Sequence, residues 1–145
     1  MADAETIDRL RGALTRISRR IDRQISTDGL TSTQLSVLAS VAIRGPIGLG
    51  ELAEVQGINP TMLSRVVGKL EEARLLERQV DAGDRRAVRV VVTPAGAKLR
   101  ERVLAERSAL LAERLARLPA ETIEVVVAAI PALEALVAEL APPGQ

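Results

Sequence analysis

Asn59-Pro60 is followed by Thr61, Met62, Ser64, Arg65 and Lys69, and this short run holds the side chains best suited to recognition chemistry. Two hydroxyls, a guanidinium, an ammonium and a thioether form no nucleophile–base pair. Arg does pair bidentately with a guanine edge or a phosphate, and hydroxyls reach bases and phosphate oxygens alike. A second set lies further along: Arg78, Asp84, Arg85 and Arg86, with Arg89 beyond. Arginines on a projecting turn can follow a phosphate backbone or enter a narrow minor groove, where negative potential is enhanced. Asp84 beside Arg85 and Arg86 would hold a guanidinium in one rotamer and so reduce the entropy lost on binding. Each set has a plainer alternative. The first could face water on a hairpin used only for packing. The second could be a solvated turn whose ion pairs contribute ~0–1 kcal/mol.

Other chemistries lack their residues. The 145-residue chain has no Cys, His, Trp, Tyr or Phe. Thiol nucleophiles, thiol redox sensing, imidazole bases and Cys/His zinc sites are therefore unavailable. Base stacking on aromatic side chains is also excluded, which argues against a single-strand or RNA-recognition module. Glu71-Glu72 is a carboxylate pair in sequence only, because adjacent helical side chains diverge. No enzyme motif and no cofactor site is legible. The segment Ile123 to Leu140 is apolar but is interrupted by Pro131 and Glu134, so no membrane span is expected. Asp3, Glu5 and Asp8 occupy the place of a signal peptide's basic start, and the expected location is cytoplasmic.

Charge is unevenly spread. The net charge is +1, yet Lys98 to Arg117 carries six basic and three acidic residues, and Leu118 to Gln145 carries four acidic and none basic. Between Asn59 and Val92 there are seven basic and five acidic residues, so nucleic-acid binding there would depend on placement rather than bulk charge. Eighteen of the 20 basic residues are Arg, which suits bidentate contacts and equally fits a biased base composition of the gene.

The elements that must position these residues follow from spacing. Ile7, Leu10, Leu14, Ile17, Ile21 and Ile25 recur every three or four residues, one apolar helical stripe ended by Thr27-Asp28-Gly29. Thr31 and Gln34 have capping-box spacing at the start of a second helix, which Gly45-Pro46 stops. Leu49 to Gln56 reads as a short helix broken by Gly57, and Asn59-Pro60 opens another that runs to about Ala73. Ala53 suits a close helix crossing and Gly57 a turn with positive φ, while Ile58, Leu63 and Val66 would fill the crossing. This is a helix-turn-helix pattern. Its second helix would present Thr61, Met62, Ser64, Arg65 and Lys69 outward, as major-groove recognition requires. Leu75 to Val80 and Val88 to Thr93 are strand-like and make a β-hairpin around the polar turn. Thr93-Pro94 starts a long helix to about Arg117, Leu118-Pro119 breaks it, and a last helix reaches Leu140 with a kink or break expected at Pro131.

These motifs together resemble the MarR family of transcription regulators. Leu30-Thr31-Ser32-Thr33-Gln34-Leu35 is similar to the opening of that family's second helix. Glu51-Leu52-Ala53 and the run from Leu63 to Glu71 look like its helix-turn-helix. Leu76-Glu77-Arg78, Asp81, Asp84-Arg85-Arg86-Ala87 and Val92-Thr93-Pro94-Ala95-Gly96 resemble its wing and the following helix. Nearly the whole chain is covered, in order. The resemblance implies a mainly α fold with a small β-hairpin wing, in one MarR-type domain spanning 1–145. Within it, 31–93 would be the winged helix-turn-helix lobe, and 4–27 with 94–141 a helical dimerisation lobe. It implies a homodimer on a pseudo-palindromic operator in double-stranded DNA. Asn59, Pro60, Thr61, Met62, Ser64, Arg65 and Lys69 would contact the major groove, and Arg78, Asp84, Arg85 and Arg86 would serve the wing. A small-molecule effector entering between the lobes would release the DNA.

The chain also departs from the family. Arg74 stands where Gly is usual before Leu75-Leu76-Glu77-Arg78, so either the helix ends in a left-handed residue and Arg74 is mildly strained, or the helix end differs from the family's. Aromatic residues that often line the effector site are absent. A ligand-blind DNA binder therefore stands as an alternative to a ligand-responsive repressor. A pure partner-binding module would explain the terminal helices but leave the hairpin arginines unused.

Overall fold

The computed structural model describes residues 1–80, 83–84 and 87–141. Helix α1 is Ala4–Gln24, α2 Ser32–Arg44, α3 Leu49–Gln56, α4 Pro60–Glu72, α5 Pro94–Leu115 and α6 Ala120–Glu139; strand β1 is Ile47–Gly48, β2 Leu76–Val80 and β3 Val88–Val92. Residues Met1–Arg107 form one unit, and a second begins at Ser108.

Helix starts follow the side-chain caps. Asp3 accepts from the Thr6 N–H at 2.7 Å, and hydrogen bonding from the Thr6 side chain, then from its backbone, holds the Asp3 carboxyl below the usual range. Thr31 and Gln34 form the expected capping box, with the Gln34 N–H donating to the Thr31 hydroxyl at 3.2 Å and the Thr31 N–H to Gln34 Oε1 at 2.8 Å. Asn59 accepts from the Met62 N–H at 2.8 Å, with Pro60 in the first turn.

The core lies wholly in the first unit. Val37, Leu38 and Val41 of α2 meet Leu52 and Ala53 of α3, Leu63, Val67 and Leu70 of α4, Ile47, Leu76 and Val90 of the sheet, and Leu99 and Val103 of α5. Gln56 pins α3 to α2 by donating to Ser40 Oγ at 2.6 Å. The expected hairpin is part of a three-stranded antiparallel sheet of order β1-β3-β2. Ile47 pairs with Val90, while Leu76 pairs with Val92 and Val80 with Val88. The extra strand of two residues gives β3 a partner on both edges and seats Val90 at the centre.

Helix α1 contributes no buried side chain. Its C-terminal end is held by a polar seam instead. Arg107 donates twice to Asp22 Oδ1, at 2.8 and 3.1 Å, and the Ser26 N–H donates to Glu106 at 3.1 Å. Arg102 sits 2.9 Å from both Asp28 and Glu106, and its hydrogen bond to Glu106 raises its pKa.

In the second unit, α6 runs unbroken from Ala120 to Glu139 with Pro131 inside it, which corrects the expectation of a break. Pro131 removes one N–H from the ladder, and that single loss leaves the flanking turns hydrogen-bonded. Helix α6 also has no buried side chain.

Candidate nucleic-acid interface

Two helix ends of the same geometry frame α4. At the first, Gly57 adopts φ 64°, its N–H donates to the Glu54 carbonyl and the Ile58 N–H donates to the Ala53 carbonyl. This pair of bonds is a Schellman motif, and it swings the chain into α4. At the second, Arg74 adopts φ 59°, its N–H donates to the Glu71 carbonyl and the Leu75 N–H donates to the Leu70 carbonyl. The left-handed residue there is Arg rather than Gly, so the strain expected at Arg74 is present. Thr93 secures this second turn. Its hydroxyl donates to the Arg74 carbonyl at 2.7 Å and accepts from the Gly96 N–H at 3.0 Å, tying the exit of α4 to the start of α5. Gly96 is needed here, because a Cβ on it would collide with the Leu75 carbonyl.

Between these ends, α4 turns Leu63, Val67 and Leu70 inward. Thr61, Met62, Ser64, Arg65 and Lys69 are exposed, as are Asn59 and Pro60 at the start. Arg65 and Lys69 lie one turn apart. Among the described residues Arg65 has no ion-pair partner, so its guanidinium is available to a ligand. Lys69 lies 3.6 Å from Glu72, an exposed contact that holds it weakly. Asn59 is different: its carbonyl oxygen is engaged in capping the helix. That bond orients the first turn.

The wing residues divide. Arg78 on β2 donates to Glu71 of α4 at 2.6 Å, with both side chains partly shielded. This pair is not legible from spacing alone, since it depends on β2 running back beside the last turn of α4. It makes Arg78 a tie between β2 and α4. Asp84 is exposed, and its carbonyl accepts from the Ala87 N–H at 3.0 Å. Arg85 and Arg86 lie outside the described residues. A cleft of about 400 Å³ opens beside the Glu71–Arg78 pair, lined also by Arg74, Leu76, Glu77 and Thr93. Its largely charged lining is unlike the apolar pockets that bury organic ligands.

A short helix, a glycine turn, a second helix with a polar outer face and an antiparallel sheet beside it define a winged helix-turn-helix protein. The MarR family model matches residues 30–88. The repressor MdtR of Bacillus subtilis is 31% identical over 112 residues, covering 77% of this chain and 72% of that protein. The crystal structure of RV1404 from Mycobacterium tuberculosis has the same fold, with a TM-score of 0.80 and 24% identity over the full length of both chains. A Staphylococcus aureus MepR variant bound to an oligodeoxyribonucleotide shares the fold with a TM-score of 0.69 and 19% identity, over 88% of this chain and 94% of that one. The chain belongs to the MarR family, whose members are DNA-binding transcription regulators and not enzymes. Among the described residues, no helix is long and apolar enough to cross a membrane.

Proposed function

We propose that this chain is a cytoplasmic, homodimeric repressor that binds a pseudo-palindromic operator in double-stranded DNA and leaves it when a small-molecule effector binds. The observation that carries this reading is the outer face of α4, where Thr61, Met62, Ser64 and Arg65, which has no ion-pair partner among the described residues, stand exposed on a helix whose opposite face is locked in the core. Lys69 extends that face. Arg78 and Asp84 belong to the wing, with Arg85 and Arg86 as its phosphate or minor-groove contacts. MdtR is named a repressor, and the MepR variant is bound to an oligodeoxyribonucleotide; both names support the reading.

The dimer would be built from 4–27 and 94–141, leaving 31–93 as the DNA-binding lobe. Exposed apolar side chains on both terminal helices support this. Ile7, Leu10, Leu14 and Ile17 line α1, and Val126, Val127, Ile130 and Val137 lie on α6. Apolar surface of that extent marks a contact site, and a two-fold axis would place two α4 helices in successive major grooves, ~34–36 Å apart. Release requires an effector that binds the DNA-incompatible arrangement more tightly than the DNA-bound one.

Titration of labelled duplex from upstream of the chain's own gene, at several salt concentrations and against scrambled competitor, tests the reading. The label belongs on the DNA because the protein has no aromatic residue. Competitor-resistant binding by two subunits per duplex is expected. Binding lost equally to any DNA would contradict an operator, and no binding at low salt would contradict DNA recognition altogether.

A further inference from the structure

We infer that α4 reads thymine by its 5-methyl group, with the exposed Met62 side chain as the apolar contact. The inference rests on the groove-reading role proposed above for α4 and deepens it.

The starting point is which base edges this face can satisfy. In the major groove, guanine offers two acceptors, which an Arg fork matches; Arg65 is placed for that. Adenine offers an acceptor beside a donor, and the side chain that matches both is an amide; cytosine offers a donor, which a carboxylate accepts. Helix α4 carries no Asn or Gln within its length. The two amides that precede it are each held at one atom, which fixes the orientation of the amide. Asn59 Oδ1 accepts from the Met62 N–H at 2.8 Å, and Gln56 Nε2 donates to Ser40 Oγ at 2.6 Å and the Ser36 carbonyl at 3.3 Å. Its carboxylates, Glu71 and Glu72, stand in its last turn, paired with Arg78 and Lys69. They are far from the N-terminal residues that meet base edges in a docked recognition helix. The Thr61 and Ser64 hydroxyls can bond to an A·T pair but do not distinguish its two bases, which leaves the thymine methyl as the discriminating feature for this face.

Met62 fits that feature. It sits in the first turn of α4, and 46% of it is exposed although it is apolar. The core does not draw it in, since Leu63, Val67 and Leu70 fill the inward face. It lies three residues from Arg65, so both side chains rise from neighbouring points of one helical surface. An unbranched thioether adapts its shape to a methyl group without requiring a fixed rotamer. One recognition helix would thus read a guanine with Arg65 and a nearby thymine with Met62.

Deoxyuridine keeps every hydrogen-bonding group of thymidine and lacks only the methyl, which makes it the discriminating probe. The best-bound duplex is selected from a randomised pool, and each thymine is replaced singly by deoxyuridine. Affinities are then measured for the wild-type protein, Met62→Ala and Met62→Leu. At one thymine in each half-site, the wild type should lose about fourfold per methyl removed, the worth of burying one such group. Met62→Ala should bind the thymine and deoxyuridine duplexes alike, and Met62→Leu should regain the preference. Equal loss in the wild type and Met62→Ala would overturn the inference by placing the methyl contact elsewhere. Indifference of the wild type to every methyl, with Arg65→Ala still weakening binding, would overturn it while leaving α4 in the groove. A protein that selects no sequence from the pool would overturn both.

Discussion

Helices α4 and α6 are both rich in aliphatic side chains and use them in opposite ways. In α4 Leu63, Val67 and Leu70 are buried within the same chain, and the residues between them are free to be polar and exposed. In α6 nothing is buried, and Val125 and Val137 are each 69% exposed. Helix α1 behaves like α6: its stripe from Ile7 to Ile17 stays exposed, and its C-terminal end is fastened by the Asp22–Arg107 and Ser26–Glu106 contacts. The first unit therefore buries a core of its own, to which α5 adds Leu99 and Val103, whereas α1 and α6 carry apolar surface that this chain leaves uncovered. That difference supports assigning recognition to one region and assembly to the other.

The comparison can be broken most severely at the uncovered stripe. Leu14→Asp puts a carboxylate on α1 in both copies of a two-fold interface, where each substitution counts twice. A dimer loss of about 4 kcal/mol is expected, from burying two unpaired charges, with the fold of each chain retained. Sedimentation equilibrium would show monomers of unchanged helicity, and an undisturbed dimer would remove α1 from the interface. Leu70→Ala probes the opposite case. It should destabilise the chain by about 3 kcal/mol through a core cavity, read by circular dichroism during denaturation, and a change well below 1 kcal/mol would mean that the lobe does not depend on its own core.

Arg65→Ala should leave stability unchanged and weaken operator binding by about 2 kcal/mol, with relaxed preference at one base position. Wild-type affinity in that variant would remove Arg65 from recognition. The smallest effect belongs to Arg74→Gly. Relief of the left-handed strain at φ 59° should raise stability by about 1 kcal/mol, and a lower melting temperature would show that the arginine side chain stabilises the turn by more than its backbone strain costs.

Local chemistry was largely legible in the sequence. The caps at Thr31 and Asn59, the glycine turn at Gly57 and the 3–4 spacing of α1 each depend on residues within a turn or two of one another, and each appears where the sequence placed it. Strand β1 was not legible. Two residues carry no periodicity, and Ile47 becomes a strand only by pairing with Val90 from a distant segment. The same holds for Glu71 with Arg78, because only the packed lobe brings the end of α4 beside β2. At Pro131 the sequence left a kink and a break open, and the helix continues through it, because one missing N–H does not end the ladder. Of the candidate site, the outward set on α4 could be read from periodicity, but which of its polar atoms are already engaged could not. Asn59 and Arg78 look alike available in the sequence and are both committed within the fold.

The meeting of Gly96 with the Leu75 carbonyl also sets how freely the chain can drift. No side chain fits between α5 and the end of the β2 approach, whereas a Cβ at Gly48, Gly50 or Gly68 would meet nothing within 4 Å. In a library of random variants selected only for folding, positions 48, 50 and 68 should fill with many residue types while position 96 returns glycine. The lobe's mutational freedom thus narrows where the wing joins α5, beyond the C-terminal end of α4, so Thr61, Met62 and Ser64 at its other end can diverge without disturbing the joint that holds the helix.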